Sequence, residues 1–137
     1  MNVLVDTDVW VDIALRRKEH FSDSAAAVNL LGRPGNTPYA SAHSVTTVYF
    51  LVSRERDRTA GLQAVEALLQ HASVAPVDGS VIHDATESSF DDFEDAVIES
   101  AARRAGLDAI ITRNVSDFDG SRLPVYTPTE FISASTV

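Results

Sequence analysis

The sequence predicts an α/β fold in which a mostly parallel sheet is covered by helices on both faces. Two short apolar runs, residues 3–5 and 109–111, have the composition of buried strands. Between them, apolar residues recur at helical spacing, most clearly over residues 59–72. Apolar strands that alternate with amphipathic helices favour parallel strands joined by helices. In such sheets the functional crevice lies at the carboxyl ends of the strands.

The first quarter of the chain reads as strand, helix, helix, strand. Residues 3–5 form a buried strand that passes directly into a first helix. A second helix covers residues 24–31 and ends at Gly32. The turn-forming residues 33–36 then precede a short strand at residues 37–40.

The middle of the chain contains one ambiguous segment and two clear ones. Residues 43–53 have the composition of a strand, but their apolar residues recur at helical spacing, and we predict a helix. Residues 59–72 form a helix with one apolar stripe. Residues 74–77 predict a short edge strand, because Pro76 is tolerated at an edge and not in a central strand.

The remaining chain predicts three further helices and two strands. Asp78 is placed to cap a helix that ends near residue 87. The other predicted elements are a helix over residues 92–105 closed by Gly106, strands at residues 109–111 and 125–126, and a terminal helix opened by Pro128. No linker or repeat interrupts this pattern, so we expect a single domain over residues 1–137.

Composition restricts the possible functions. The chain has no cysteine, so any metal must be held by oxygen or imidazole. It has no basic leader and no apolar run near the roughly 20 residues that span a bilayer, so we expect a cytoplasmic protein without a membrane partner. The net charge of −9 argues against binding nucleic acid by bulk electrostatics alone.

Polar side chains follow the two most strand-like segments. Asp6 and Asp8 come directly after the first strand, and Asn114, Asp117 and Asp119 follow the strand near the end of the chain. Because parallel strands end at the same edge of a sheet, these groups are expected to lie near one crevice. Asp8 is equally explained as the cap of the first helix.

A third source of carboxylates is the helix that begins near Asp92. Spacings of three and four residues put Asp92, Asp95 and Glu99 on one face of it. Asp91 and Glu94 are explained by the helix dipole, which favours acids in a first turn.

Carboxylates gathered at one crevice must take up protons or share a cation. Oxygen ligands suit Mg²⁺ or Mn²⁺, which can activate a water molecule and stabilise the charge that develops on a phosphodiester. A cation would also reverse the negative local field where a phosphate must approach. The sequence therefore favours a metal-dependent reaction on a phosphate ester.

Three motifs in order resemble the PIN domain family, the nuclease fold of many VapC-like toxins. They are Leu-Val-Asp-Thr-Asp-Val at residues 4–9, Asp-Phe-Glu-Asp-Ala at residues 92–96, and Ile-Ile-Thr-Arg-Asn at residues 110–114 followed by Asp-Phe at residues 117–118. The resemblance implies a three-layer α/β/α sandwich and a metal-dependent endoribonuclease that acts on RNA. It also implies a homodimer and, for a toxin, a cognate antitoxin protein.

The resemblance assigns roles to particular residues. It implies Asp6, Asp95 and Asp117 as catalytic residues and metal ligands. The supporting residues that it implies are Asp92, Thr112 and Asn114, to which we add Asp8 and Thr47 from their positions.

One position departs from the family pattern. The family usually places a glutamate early in the helix after the second strand, where this chain has Thr47 or Thr46. The loss of one carboxylate weakens cation binding, so an inactive PIN-like module that binds RNA or a partner protein is the alternative function. Asp6 also resembles the nucleophile of haloacid-dehalogenase phosphatases, and phospho-aspartate receiver domains likewise use such an aspartate. Both need a later lysine, and Lys18 is the only lysine of the chain.

Overall fold

The fold is a five-stranded parallel sheet between layers of helices, as described for residues 1–135 by a computed structural model. The spatial order of the strands is β3-β2-β1-β4-β5, and all four neighbouring pairs are parallel. The strands are β1 (Asn2–Val5), β2 (Thr37–Ser41), β3 (Ser73–Ala75), β4 (Ala109–Ile111) and β5 (Val125–Tyr126). The predicted fold class is confirmed, although residues 136 and 137 of the expected domain lie outside the described part.

In the part of the chain that the structure describes, seven α-helices occupy the positions that the sequence predicts, with ends that differ by at most three residues. They are α1 (Thr7–Ala14), α2 (Phe21–Leu31), α3 (Ala42–Glu55), α4 (Arg58–His71), α5 (Gly79–Thr86), α6 (Phe93–Arg104) and α7 (Pro128–Ser135). A short 3-10 helix at Val115–Phe118 was not predicted. Across residues 1–135, no helix is both long and apolar enough to cross a membrane.

Helix α3 shows how packing overrides local preference. Its β-branched composition favours a strand, but Val48 and Val52, one turn apart, are each 1% exposed and belong to the larger hydrophobic core. Helix α4 packs closely against it. A Cβ atom added at Gly61 would lie 3.1 Å from the Tyr49 ring and closer still to the Ser53 hydroxyl, so a larger residue here would displace both side chains.

The central strand β1 supplies both faces of the sheet with buried side chains. Val3 and Val5 pack with helices α1 to α4 on one face, whereas Leu4 packs with Ile98 of α6 on the other. This alternation, with period two, is the physical basis of the layered arrangement. Both faces are therefore covered, and the carboxyl ends of the strands are left to form a crevice.

The register between β1 and β4 determines which residues meet at that crevice. Val5 pairs with Ile111, and the backbone N–H of Asp6 donates to the Ile111 carbonyl oxygen at 2.8 Å. Asp6 and Thr112 therefore leave the sheet side by side. From β1 the chain adds β2 and β3 on one side of the sheet and then β4 and β5 on the other side. Such a switch point leaves a crevice at the carboxyl ends of the strands, and these crevices are common ligand sites.

Gly106 provides a test of how the chain leaves helix α6. Its φ of +69° is left-handed, whereas Gly79 opens helix α5 without that restriction, and a Cβ atom at either position would meet nothing within 4 Å. Gly106→Ala should therefore destabilise the fold by ~1 kcal/mol through backbone strain alone. Gly79→Ala should be neutral or stabilise it by up to ~1 kcal/mol. Urea unfolding of the two variants measures the difference, and equal effects would contradict it.

Candidate active site

An acidic pocket of about 340 Å³ opens at the carboxyl ends of β1 and β4. Six carboxylates line it, from the β1–α1 junction, from the start of α6 and from the 3-10 helix: Asp6, Asp8, Asp92, Glu94, Asp95 and Asp117. Thr47 and Asn114 line it as well, together with the Arg17 guanidinium. The structure thus brings seven of the eight predicted site residues to one pocket, and the eighth, Thr112, contacts Asp6 directly.

Asp6 is the most firmly held carboxylate of the pocket. It is 5% exposed and caps helix α1, with Oδ1 accepting from the Thr7 backbone N–H and Oδ2 from the Thr112 hydroxyl, both at 2.7 Å. Burial, and then the neighbouring charge of Asp8, raise the pKa of Asp6 to about 7 despite these two hydrogen bonds. A buried carboxyl with such a pKa gains strongly from a nearby cation.

Asp8 was explained equally well as the cap of α1, but that role belongs to Asp6. The Asp8 side chain instead faces the end of β4, where Oδ2 accepts from the Asn114 amide at 3.0 Å and lies 3.9 Å from the Arg113 guanidinium. Its Oδ1 atom is buried, and no residue in the described part of the chain donates a hydrogen bond to it. Burial raises the pKa of Asp8, and Arg113 opposes that shift. An orphaned, buried carboxylate oxygen fits a site for a hard cation.

Asp95 of helix α6 is affected by the charges of carboxylates both on its own helix and on the 3-10 helix. Burial, followed by the charges of Asp92 and Asp117, raises the pKa of Asp95 to about 6. Asp92 is the N-cap of α6, and its Oδ1 accepts from the Asp95 backbone N–H at 3.1 Å. Asp117 lies exposed on the 3-10 helix. The charges of Asp92 and Asp117 act on Asp95 because all three carboxylates line the same pocket.

The donor set fits a divalent cation, although its side chains are not arranged around one point. Within residues 1–135, no three carboxylate or imidazole side chains stand ready to hold an ion together. Asp6 is fixed by its hydrogen bonds, whereas Asp95 is half-buried and Asp117 exposed. Like charges repel, so ligation of one cation requires the Asp95 and Asp117 side chains to turn towards Asp6.

Beneath the pocket lies a buried charge network that sequence reasoning missed. The Asp12 side chain is fully buried, and it accepts from Arg113 Nε at 2.7 Å and lies 3.5 Å from Arg17 Nη1. Arg113 thereby joins α1 to the segment that carries Asn114. The sequence shows Asp8 and Asp12 one turn apart on a short helix, which indicates that they need a cationic partner. It does not identify that partner, Arg113, which is about a hundred residues away.

Two predictions about helix α6 were wrong. Glu99 does not share the pocket with Asp92 and Asp95. It is 4% exposed and accepts hydrogen bonds from Arg103 Nε, one turn later in α6, and from the Ser121 hydroxyl and the Arg122 backbone N–H, which belong to the segment after the 3-10 helix. Glu94, attributed to the helix dipole alone, does line the pocket.

Comparisons with known proteins agree with this architecture. The sequence profile described as the PIN domain matches residues 2–116. No curated protein sequence matches the chain. VapBC2 from Rickettsia felis, solved bound to a DNA fragment from its promoter, has a chain that is 15% identical with a TM-score of 0.73, over 91% of this chain and 97% of that one.

Two other solved structures share the fold. VapBC-1 from nontypeable Haemophilus influenzae is 16% identical with a TM-score of 0.71, covering 94% of this chain and 99% of that one. VapC20 from Mycobacterium tuberculosis, described as a Sarcin-Ricin loop cleaving toxin, is 18% identical with a TM-score of 0.65, covering 79% and 86%. At these identities the likeness concerns the fold alone. Since the profile match spans most of the sequence, the chain belongs to the PIN domain family.

Proposed function

We propose that this chain is a metal-dependent endoribonuclease that hydrolyses RNA phosphodiester bonds with the aid of Mg²⁺ or Mn²⁺. The observation that carries the proposal is the convergence of six carboxylates from three separate segments on one pocket. Asp6, Asp95 and Asp117 are the proposed catalytic residues and metal ligands. Membership of a family of nucleases supports the reaction class.

The main charged residues of the pocket have distinct roles in this proposal. Asp6, held by Thr112, is the fixed ligand, and Asp95 and Asp117 turn to complete the set. Asp92 caps the helix that carries Asp95. When bound, the metal ion lowers the pKa of a water molecule to make a nucleophile and stabilises charge on the phosphate. The Arg17 guanidinium at the same pocket is a cation that the phosphate can contact.

The supporting groups act on the geometry of these ligands. Asn114 donates to Asp8, and the Thr112 hydroxyl donates to Asp6 while accepting from the Asn114 backbone N–H at 3.1 Å. Hydrogen bonds of this kind fix the orientation of metal-binding carboxylates. Loss of either side chain is therefore expected to weaken metal binding without removing a ligand.

The second candidate function is a catalytically weak or inactive module that binds RNA or a partner protein. Thr47 favours it, because this residue lines the pocket where the family usually has a glutamate. The Thr47 side chain carries no charge, and its hydroxyl donates to the His43 carbonyl oxygen at 3.1 Å. This candidate requires RNA or partner binding that is independent of the carboxylates.

An antitoxin protein is the proposed partner, which would make the chain the toxin of a bacterial toxin–antitoxin pair in the cytoplasm. Similar folds have been solved as toxin–antitoxin complexes, including one from Klebsiella pneumoniae. A groove of about 390 Å³ between α1, α2, α3 and α4 has an apolar floor that includes Trp10 and Val52. Arg16 and Arg56 line it, so it suits an apolar segment that carries carboxylates.

A homodimer is the proposed assembly of this chain. Large apolar side chains stand exposed on α3 and α4, namely Phe50 at 57%, Leu62 at 38% and Leu69 at 50%. Exposed apolar groups on adjacent helices suit a protein contact. This surface is separate from the acidic pocket, since none of the three side chains lines it.

RNA cleavage with Mg²⁺ or Mn²⁺ tests the proposed reaction. Asp6→Ala, Asp95→Ala and Asp117→Ala each remove a proposed ligand, so each should lower the cleavage rate at least ~100-fold. Asp119→Ala is the matched control, because Asp119 is exposed two residues beyond Asp117 and does not line the pocket. Chelation with EDTA should abolish cleavage by the wild type. Metal-independent cleavage, or none by the wild type at any metal concentration, would refute the nuclease proposal.

The stability of the metal-free protein should depend on pH in a predictable direction. The folded state raises the pKa of Asp6 to about 7 and that of Asp95 to about 6, from 3.8. The folded state therefore binds more protons than the unfolded chain in this range, and the free energy of unfolding should fall as the pH rises from about 4 to about 7. Urea unfolding in EDTA measures this dependence.

A matched pair of variants assigns the pH dependence to the pocket. Asp6→Asn should flatten it, since that side chain no longer titrates. Asp91→Asn, at an exposed carboxyl outside the pocket, should leave it unchanged. An unaltered slope in Asp6→Asn would show that the acidic pocket does not govern the pH dependence.

Co-expression with the product of a short neighbouring reading frame tests the antitoxin proposal. Ala67→Glu puts a negative charge at the edge of the groove, where the proposed partner is itself acidic, and should lower the affinity at least ~10-fold. Gln70→Glu makes the same charge change on an exposed position of α4 outside the groove and should have little effect. Titration calorimetry measures both affinities. Equal affinities would place the partner elsewhere.

A further inference from the structure

Helix α3 presents to the pocket a side chain that cannot replace a carboxylate. Thr47 lies one turn after His43, and the two side chains share one face of the helix. The Thr47 hydroxyl donates its hydrogen bond to the His43 carbonyl oxygen. A cation on this side of the pocket therefore lacks a charged ligand from α3.

Glu94 approaches the same face of α3 from across the pocket. Its Oε1 atom lies 4.0 Å from His43 Nε2 and 3.5 Å from the Thr7 hydroxyl. Glu94 and Thr47 both line the acidic pocket. The Glu94 carboxylate thus lies near His43, one turn before Thr47 on helix α3.

A chain of buried hydroxyl groups points towards Glu94. The Ser44 hydroxyl lies 2.7 Å from that of Ser41 and 2.6 Å from that of Thr7, and all three residues are buried. Because a carboxylate can only accept, Thr7 donates to Glu94 and must accept from Ser44. The hydroxyl chain has one direction as a result, and it ends on Glu94.

We propose that Glu94 of helix α6 supplies the carboxylate that position 47 of helix α3 lacks, as a further ligand for the divalent cation. This inference rests on the proposed function and names one more residue of the same pocket. The Glu94 side chain is 52% exposed, so it can turn towards the cation without disturbing the core. Oxygen from a carboxylate is the ligand that Mg²⁺ and Mn²⁺ prefer.

Calorimetric titration with Mn²⁺ alone tests the inference without reference to RNA cleavage. Glu94→Gln keeps the size of the side chain but removes its charge, and should weaken Mn²⁺ binding about 10-fold or more. Glu87→Gln is the matched control, because Glu87 is 70% exposed outside the acidic pocket, and its affinity should equal that of the wild type. Unfolding in EDTA should be the same for all three proteins.

A double variant tests whether the two positions are equivalent. Thr47→Glu in the Glu94→Gln protein returns a carboxylate to the face of α3 and should restore most of the lost Mn²⁺ affinity. Wild-type affinity in Glu94→Gln, or a loss that Thr47→Glu does not repair, would overturn the assignment of Glu94 while leaving the nuclease proposal intact. A wild type that neither binds Mn²⁺ nor cleaves RNA would remove both.

Discussion

The mutual repulsion of carboxylates collected at one end of a parallel sheet is the constraint on which the rest of the pocket depends. The β1–β4 register sets Asp6 beside Thr112, and helix α6 adds Asp95 to the same space. Burial increases the repulsion, because charges are screened poorly away from water. The neighbouring donors Thr112, Arg113 and Asn114 each offset part of this negative charge by a hydrogen bond to a carboxylate.

The protein neutralises the deeper part of this charge and leaves the outer part uncompensated. Arg113 and Arg17 hold Asp12 below the pocket, and the Asn114 amide binds Asp8. No comparable set of donors faces Asp95 among the described residues, and burial together with the charges of Asp92 and Asp117 keeps its pKa high. The deeper carboxylates are thus paired within the fold, whereas the open face keeps its negative charge, in a chain whose net charge is −9.

Local patterns predicted most of the fold and the position of the main carboxylates. The caps Asp78 and Asp92 follow from residue type and spacing, and the approach of Asp6 to Asp117 follows from the rule that parallel strands end together. Glu94 was misjudged because a first-turn acid has a sufficient local explanation. The pairing of Asp12 with Arg113 was missed because a contact between distant segments leaves no local pattern in the sequence.

Trp10 is the only tryptophan of the chain, and its position has a practical consequence. The indole is 5% exposed, its Nε1–H has no acceptor among residues 1–135, and it lines the groove between the first four helices. Its emission spectrum is therefore an intrinsic optical probe of that groove, sensitive to any group that accepts the free hydrogen bond. The acidic pocket contains no tryptophan, so the indole of the unlabelled protein reports directly on the groove and not on the side chains that line the pocket.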